Sequence, residues 1–142
     1  MTTDDIIRGS CLCGTVRFTI RPPFPVFQYC HCSRCQKTTG SAHAANLFVP
    51  VEQFAWTAGQ EEARRYLHAE AKYFGAGFCG RCGSNVPWLN RNGKMAIVPA
   101  GSLDDDPGQR PVRNVHYASR SPWYLLPSEL DTFESTPPQK GS

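Results

Sequence analysis

The chain has 142 residues, of which 40% are hydrophobic, and this size predicts a single domain with a modest core. Its formal net charge of +3 is too small to argue for nucleic-acid binding by itself. No apolar run approaches the roughly 18 residues needed to cross a bilayer, and the acidic N-terminus lacks an apolar signal segment. We therefore expect a reducing, cytoplasmic setting and no membrane partner.

The first half of the chain predicts short strands, since 12 Gly and 12 Pro favour turns over long helices. Residues 14–20 alternate apolar and polar side chains, which predicts a strand that ends at Arg21-Pro22-Pro23. The elements predicted next are a strand at Val26–Cys30, a helical turn at Ser33–Thr39, a strand at 44–49 and a short proline-opened helix at 50–54.

The second half predicts a hairpin formed by Ala63–Leu67 and residues 72–78, which leads into Cys79. Further short strands are predicted at 86–89, 95–98 and 112–118, with a loop at 104–108. We expect one domain over residues 1–136 and a flexible tail over 137–142. The pattern as a whole indicates a β-rich domain whose short strands are held together by metal.

All seven cysteines lie in three tight clusters with the spacings CxC, CxCxxC and CxxC. An odd count, and the strain of a disulfide within CxC, argue against full disulfide pairing. Such spacings are typical of tetrahedral zinc sites, in which four thiolates close a structural site and three leave one position open. The ligand candidates are Cys11 and Cys13, then Cys30, Cys32 and Cys35, then Cys79 and Cys82.

Spacing alone allows two divisions of these cysteines between two ions. In one division the two CxxC pairs share an ion, as in a zinc ribbon, and the other three cysteines hold the second. In the other, the first and last clusters share an ion, which leaves the three cysteines of the middle cluster as a local site. The second division has the advantage that three ligands within six residues need little long-range loop closure.

Three stretches around the cysteines resemble the glutathione-dependent formaldehyde-activating enzyme family, which also contains centromere protein V. They are GSCLCGTVRF at 9–18, YCHCSRCQKTTG at 29–40 and GFCGRCGS at 77–84. Two later stretches, GSLD at 101–104 and HYASRSPW at 116–123, resemble later blocks of its shorter members. The resemblance extends from about Gly9 to Phe133 and includes all seven cysteines.

The resemblance implies a mainly β fold, an Mss4-like β-tent of short antiparallel sheets stapled by zinc. It implies that a structural zinc is held by Cys11, Cys13, Cys79 and Cys82, and a catalytic zinc by Cys30, Cys32 and Cys35. The implied activity is that of a carbon–sulfur lyase, which condenses glutathione with formaldehyde to S-hydroxymethylglutathione. The implied cofactors are two zinc ions per chain, of which the three-cysteine site is expected to hold its ion more loosely.

The chemistry of a three-thiolate zinc site favours a thiol as its fourth ligand. Three thiolates leave the site with net negative charge, so bound water is acidified less than at a His₃ site. A thiol bound there becomes a nucleophilic thiolate that can attack an aldehyde carbon. The predicted partner is therefore a small thiol or thiol adduct, with glutathione as the family's example. Candidate helpers are the cations Arg34, Lys37 and Arg120, and His116 as an acid–base group.

Several other side chains carry expectations. His31 lies between two candidate ligands, and we expect its ring to point away from the metal. Trp56 and Trp123 are candidates for the walls of an apolar cleft, and Trp88 is expected to pack against the structural zinc site.

Two alternative functions remain open from the sequence. The first is a non-catalytic, zinc-stabilised module that binds protein or nucleic acid, as part of the family suggests. Nucleic acid is the less favoured partner, because the chain lacks a basic arm. The second is a redox or metal sensor that uses a labile three-cysteine site.

Overall fold

A computed structural model describes residues 5–138, and within them it contains one α-helix and short strands. The helix is α1 (Ser33–Thr39), and short 3₁₀ turns lie at Val51–Gln53, Gln60–Glu62, Ala100–Ser102, Tyr117–Ser119 and Pro127–Glu129. The strands are β1 (Ile7–Ser10), β2 (Arg17–Ile20), β3 (Val26–Cys30), β4 (Ala44–Pro50), β5 (Phe54–Ala58), β6 (Ala63–Leu67), β7 (Gly75–Cys79), β8 (Trp88–Leu89), β9 (Met95–Pro99) and β10 (Asn114–Val115).

Within residues 5–138 the strands form three sheets. A three-stranded sheet has the order β1-β2-β5, a five-stranded sheet has the order β10-β3-β4-β9-β8, and β6 pairs with β7. The pairs are antiparallel except for β10, which runs parallel to β3. The predicted mainly β fold of short antiparallel sheets is confirmed.

The five-stranded sheet has one face in the core and one face toward a cavity. Alternate side chains of a strand point to opposite faces. One face contributes Phe27, Leu47, Val49, Ala96 and Val98 to the main core, where they meet Phe18 and Ile20 of the first sheet. In the register of β3, β4 and β9, the other face carries Cys30 opposite Ala44 and Phe48 opposite Ile97. The end of β3 therefore places Cys30 on the cavity side.

A second, smaller core joins the first sheet to the hairpin of β6 and β7. It contains the buried residues Cys11, Val16, Cys79 and Val86. Trp56 on β5 packs against this core and also against the main one. The buried thiols of Cys11 and Cys79 are thus part of the apolar packing that connects the start of the chain to its middle.

The strand limits differ from the sequence prediction where backbone turns interrupt the side-chain pattern. The strand predicted at 14–20 begins only at Arg17, because residues 11–14 form a turn in which the Gly14 amide donates to the Cys11 carbonyl at 3.0 Å. The helix predicted at 50–54 is only the 3₁₀ turn Val51–Gln53. The last strand is shorter than the predicted 112–118 because His116 adopts a left-handed conformation with φ 53°.

The structure also places two strands where none was predicted, β1 and β5. The hairpin predicted at 63–78 is confirmed, with its second strand beginning at Gly75. Pro137 and Pro138 belong to no element, and the remainder of the predicted tail, residues 139–142, lies outside the described residues. No helix among residues 5–138 has the length and apolar character that crossing a membrane requires.

Candidate functional site

The first cysteine cluster brings together the CxC turn after β1 and the CxxC turn after β7. The sulfur atoms of Cys11, Cys13, Cys79 and Cys82 all lie within 4.8 Å of one another. The Sγ atoms of Cys11 and Cys13 are 3.6 Å apart, and those of Cys13 and Cys79 are 3.9 Å apart. A tetrahedral ion with bonds of about 2.3 Å to sulfur separates its ligands by about 3.8 Å, so this group fits such an ion.

Neighbouring donors contact these sulfurs and lower the pKa of Cys13 and Cys82. At Cys79 the hydrogen bonds from the Cys82 and Arg81 amides are outweighed by burial and by the Cys82 and Cys11 thiols, so that its pKa is raised. The backbone amides of Val16 and Arg81 donate to the Sγ atoms of Cys11 and Cys79, at 3.3 Å and 3.4 Å. Ser84 Oγ lies 3.2 Å from Cys82 Sγ, and this contact is the main cause that lowers the pKa of Cys82 to about 5. Thiolate is the form that binds metal, so these contacts favour ligation.

Two glycines allow the chain to turn tightly at this cluster. Gly14 and Gly83 follow Cys13 and Cys82 directly and have φ of 79° and 75°, a conformation that residues with a Cβ adopt only with strain. The Gly83 amide donates to the Cys79 carbonyl at 2.8 Å, which closes the CxxC turn. The sequence pattern therefore produces each half of the cluster locally.

The second cysteine cluster lies at the junction of β3 and α1. Cys30 ends β3, Cys32 is the N-cap of α1, and Cys35 lies within α1. Their three Sγ atoms lie within 4.8 Å of one another, and Cys32 Sγ accepts a hydrogen bond from the Cys35 amide at 3.3 Å. The seven cysteines are thus divided into four and three, with the middle cluster forming the smaller group.

Ionisation is unequal within the second cluster. The hydrogen bond from the Cys35 thiol is the main cause that lowers the pKa of Cys30 to about 5, and the charge of His116 contributes. The same hydrogen bond, together with burial, raises the pKa of Cys35. The cluster therefore favours a thiolate that accepts a hydrogen bond from a neighbouring thiol.

His31 points away from the cysteine sulfurs, as expected. Its ring is fully buried, and its Nε2 donates to Asn114 Oδ1 at 2.9 Å. The ring centroid lies 5.0 Å from that of Tyr117 and 5.2 Å from that of Tyr124. His31 thus packs against residues 114–124 and is not part of the cysteine cluster.

A cavity of about 930 Å³ opens beside the second cluster, and Cys30, Cys32 and Cys35 all line it. Its floor is the outer face of the five-stranded sheet, and residues 71–77 form the opposite wall. Phe74 of that wall packs directly against the three-cysteine cluster. The open side of the cluster is therefore accessible to a molecule of substantial size.

Charged residues of the cavity match the sequence expectations only in part. Arg34 and His116 line the cavity. Lys37 is absent from its walls, and the Arg120 guanidinium lies 4.4 Å from the centre of the Tyr117 ring. Lys72 and Arg91 also line the cavity and were not predicted, because they lie outside any spacing motif and reach the site only through folding.

The tryptophans also differ from their predicted positions. Trp56, one of the two predicted cleft walls, is part of the core, and it rather than Trp88 packs against the four-cysteine cluster. Trp88 instead lines the cavity, and Trp123 is 63% exposed. The reason is the pairing of β8 with β9, which carries Trp88 to the outer face of the sheet opposite Ile97.

Comparisons with known proteins agree with this arrangement. The family model of the glutathione-dependent formaldehyde-activating enzyme matches residues 6–119. A Halomonas elongata protein, provisionally named as such an enzyme, is 32% identical over 116 residues, which cover 78% of this chain and 73% of that protein. A crystal structure of a Rhodobacter sphaeroides protein matches with a TM-score of 0.58 and 22% identity, covering 75% of this chain and 98% of that one. This last likeness supports the fold alone.

Proposed function

The chain belongs to the glutathione-dependent formaldehyde-activating enzyme family, and on that premise we propose a zinc-dependent enzyme that forms or breaks a carbon–sulfur bond. Its substrate would be the adduct of a small thiol with an aldehyde, for which S-hydroxymethylglutathione is the family's example. The observation that carries the proposal is the three-cysteine cluster in the wall of a cavity of about 930 Å³. Cavities of about 300–1,000 Å³ are typical of small-molecule sites.

We propose zinc for both clusters. Cys11, Cys13, Cys79 and Cys82 would hold a structural ion, because four thiolates complete a tetrahedral site. The second ion would be held by Cys30, Cys32 and Cys35, which leave one position for a substrate sulfur. When bound there, zinc would keep the substrate thiol in its thiolate form near pH 7.

Cations at the cavity would orient the substrate. Arg34 and Lys72 line the cavity with exposed side chains, so they stand at its mouth. A thiol with carboxylate groups, such as glutathione, would place those groups against the two cations and its sulfur toward the cysteines. Charge pairing of this kind sets the orientation of the bound substrate as much as it increases binding affinity.

The substrate thiol first loses its proton to solvent as it becomes a thiolate, and the bond-forming step then requires one proton transfer to the aldehyde oxygen. In synthesis the thiolate attacks the aldehyde carbon, a carbon–sulfur bond forms, and the carbonyl electron pair moves to oxygen, which takes up a proton. Cleavage reverses each of these changes. His116 lines the same cavity, and we assign it the role of proton donor in synthesis and acceptor in cleavage.

We also propose a reducing compartment, the cytoplasm, as the working environment. All seven cysteines are free thiols in the structure, and thiols that bind metal persist where disulfides are kept reduced.

The proposal is tested by exchange NMR of glutathione and formaldehyde with zinc-loaded protein. The wild type is expected to accelerate exchange between the free thiol and its adduct, and Cys32→Ser is expected to lose this acceleration. Asp106→Asn, which alters an exposed carboxylate paired with Arg110, serves as the control and keeps it. A wild-type protein that accelerates exchange for no member of a panel of small thiols contradicts the enzyme assignment and favours the non-catalytic binding module.

A further inference from the structure

The cavity floor is apolar along the middle of the five-stranded sheet. Phe48 on β4 is directly opposite Ile97 on β9, and Trp88 on β8 is opposite Ile97 on its other side. Met95 extends this surface by one more alternate position on β9. These four side chains form a continuous surface, which we call the apolar floor.

The opposite wall continues the same apolar character up to the metal-binding cysteines. Phe74 both lines the cavity and packs against the three-cysteine cluster. Trp88 reaches across to this wall, since a Cβ added at Gly75 would lie 2.8 Å from Trp88 Cζ3. An apolar group attached near the substrate sulfur would therefore meet Phe74 first, and a group that extends past Gly75 would meet Trp88.

Among the residues that line the cavity, arginine and lysine occur only at exposed positions. Arg34, Lys72 and Arg91 are the exposed cations among its lining residues, and Arg91 is already engaged with the carbonyls of His68 and Ala71 at 2.8 Å and 3.2 Å. The apolar floor contains none of these cations. In the register of β3 and β4, the polar pair Gln28 and Asn46 lies between the Cys30 row and the Phe48 row, so the cavity combines exposed cations, a polar row and the apolar floor.

A one-carbon aldehyde leaves the apolar floor without a ligand. The volume of about 930 Å³ is near the upper end of the range of about 300–1,000 Å³ for small-molecule sites. A thiol whose carboxylates contact the exposed cations and whose sulfur meets the cysteines does not need the partly exposed side chains Phe48, Trp88 and Met95. The apolar surface of a cavity contributes favourable free energy to binding only when an apolar group of the ligand removes it from water.

We propose that the aldehyde part of the substrate carries an aromatic or similarly large apolar group, which binds on the apolar floor while the thiol's carboxylates bind at the mouth. This inference rests on the proposed function, because it assumes that a thiol–aldehyde adduct is the substrate. The bond changes are those of the proposed reaction, with a substituted carbon in place of the one-carbon unit.

The test compares two stable thioethers that cannot react, S-benzylglutathione and S-methylglutathione. Binding to the zinc-loaded protein is measured by isothermal titration calorimetry. Burial of the phenyl ring is expected to make the dissociation constant of S-benzylglutathione at least about tenfold lower than that of S-methylglutathione. Equal or weaker binding of the benzyl compound, or no binding of either, overturns the inference.

Trp88→Ala and Trp123→Ala form a matched pair of variants. Trp88→Ala removes part of the apolar floor and is expected to abolish most of the benzyl preference, whereas Trp123→Ala changes an exposed ring outside the cavity and should keep it. Phe48→Leu is a milder change of the same floor for the case in which Trp88→Ala does not fold. A benzyl preference that survives both floor variants contradicts the assignment of the floor.

The two proposals fail in distinguishable ways. Acceleration of glutathione–formaldehyde exchange without a benzyl preference overturns the apolar substrate and leaves the proposed function intact. A benzyl preference that Trp88→Ala removes, without acceleration of exchange for formaldehyde or for benzaldehyde, whose adduct the benzyl compound resembles, overturns the proposed function and retains the apolar ligand site.

Discussion

The two cysteine clusters differ in the length of chain that each one closes. Cys13 and Cys79, whose sulfurs are 3.9 Å apart, are separated by 66 positions, whereas the second cluster lies within residues 30–35. Closing a long loop removes more entropy from the unfolded chain than closing a short one. A metal held at the first cluster would therefore contribute mainly to the fold, whereas a metal held at the second would close only a short loop.

Serine variants of the two clusters should separate these contributions. Cys11→Ser is expected to lower stability strongly, because Cys11 is buried in the core that joins the first sheet to the β6–β7 hairpin. Cys32→Ser is expected to leave a folded chain that binds about one zinc fewer. Zinc content by elemental analysis and thermal unfolding check both outcomes. Unfolding by Cys32→Ser, together with mere zinc loss by Cys11→Ser, would reverse the two roles.

His116→Gln should test the proposed proton transfer at the residue scale. Glutamine keeps a polar side chain in the cavity but does not exchange a proton at neutral pH, so kcat is expected to fall about 100-fold with little change in KM. Exchange NMR with the zinc-loaded protein measures both constants. His68→Gln, a change outside the lining of the cavity, is the control, and an equal loss in both variants counts against the role of His116.

At the scale of elements, glycines at turns decide how closely strands approach. Gly59, between β5 and β6, has φ 67°, and a Cβ added there would lie 2.7 Å from the Thr15 carbonyl carbon. Thr15 precedes Val16, whose amide donates to Cys11 Sγ at 3.3 Å. The close approach of Gly59 to Thr15 therefore holds the backbone segment whose Val16 amide contacts Cys11 Sγ.

Gly59→Ala and Gly93→Ala should separate backbone strain from steric clash. Gly93 has φ 72°, but a Cβ added there meets nothing within 4 Å, so its substitution is expected to cost only about 1–2 kcal/mol. Gly59→Ala adds a clash with backbone and is expected to cost about 3 kcal/mol or more. Urea unfolding measures both values, and equal costs would show that the Thr15 contact is unimportant.

Strand prediction gave the observed limits for β3 and β6 and failed where pairing alone defines the strand. β6 was predicted with its observed limits, Ala63–Leu67. β1, with the sequence IRGS, is too short for a clear period and exists because it pairs with β2. β10 pairs with β3 over two residues only, Asn114 and Val115, which no local pattern specifies.

At the scale of the whole molecule, a surface ion pair ties β1 to the loop after the 3₁₀ turn at Ala100–Ser102. Arg8 Nε donates to Asp105 Oδ2 at 3.0 Å, and the Arg8 amide donates to the same oxygen at 2.9 Å. The side-chain hydrogen bond from Arg8 is the main cause that lowers the pKa of Asp105 to about 2. The pair joins residues 97 positions apart.

The pH dependence of this ion pair has a definite sign. A carboxylate with a lowered folded-state pKa stabilises the fold above its unfolded value of about 3.9, and the contribution is lost as pH falls. For Asp105 the loss is complete below its folded pKa of about 2. The stability difference between wild type and Asp105→Asn should therefore be constant near neutral pH and shrink as pH falls toward that value.

Asp106→Asn provides the matched comparison. Asp106 also has its pKa lowered to about 2, chiefly by a hydrogen bond from Arg110, but this pair spans only four positions. Asp106→Asn should lower the free energy of unfolding less than Asp105→Asn does, because the Asp106–Arg110 pair holds no distant segments together. Urea unfolding over a pH series measures the free energy of unfolding of wild type and of both variants. Any loss of bound metal at low pH affects all three proteins alike, so it cancels in the difference between variant and wild type. A pH-independent difference for Asp105→Asn would contradict the linkage.

The sequence by itself determined the chemistry that is local along the chain. Cysteine spacing specified which residues could bind a metal, and the glycines after Cys13 and Cys82 supplied the positive φ that two of the turns need. Only the tertiary structure decided which turns share a site, and it brought Lys72, Arg91 and Trp88 to the cavity beside Cys30. These contacts depend on strand register and on packing between distant segments, whose energies no short stretch of sequence contains.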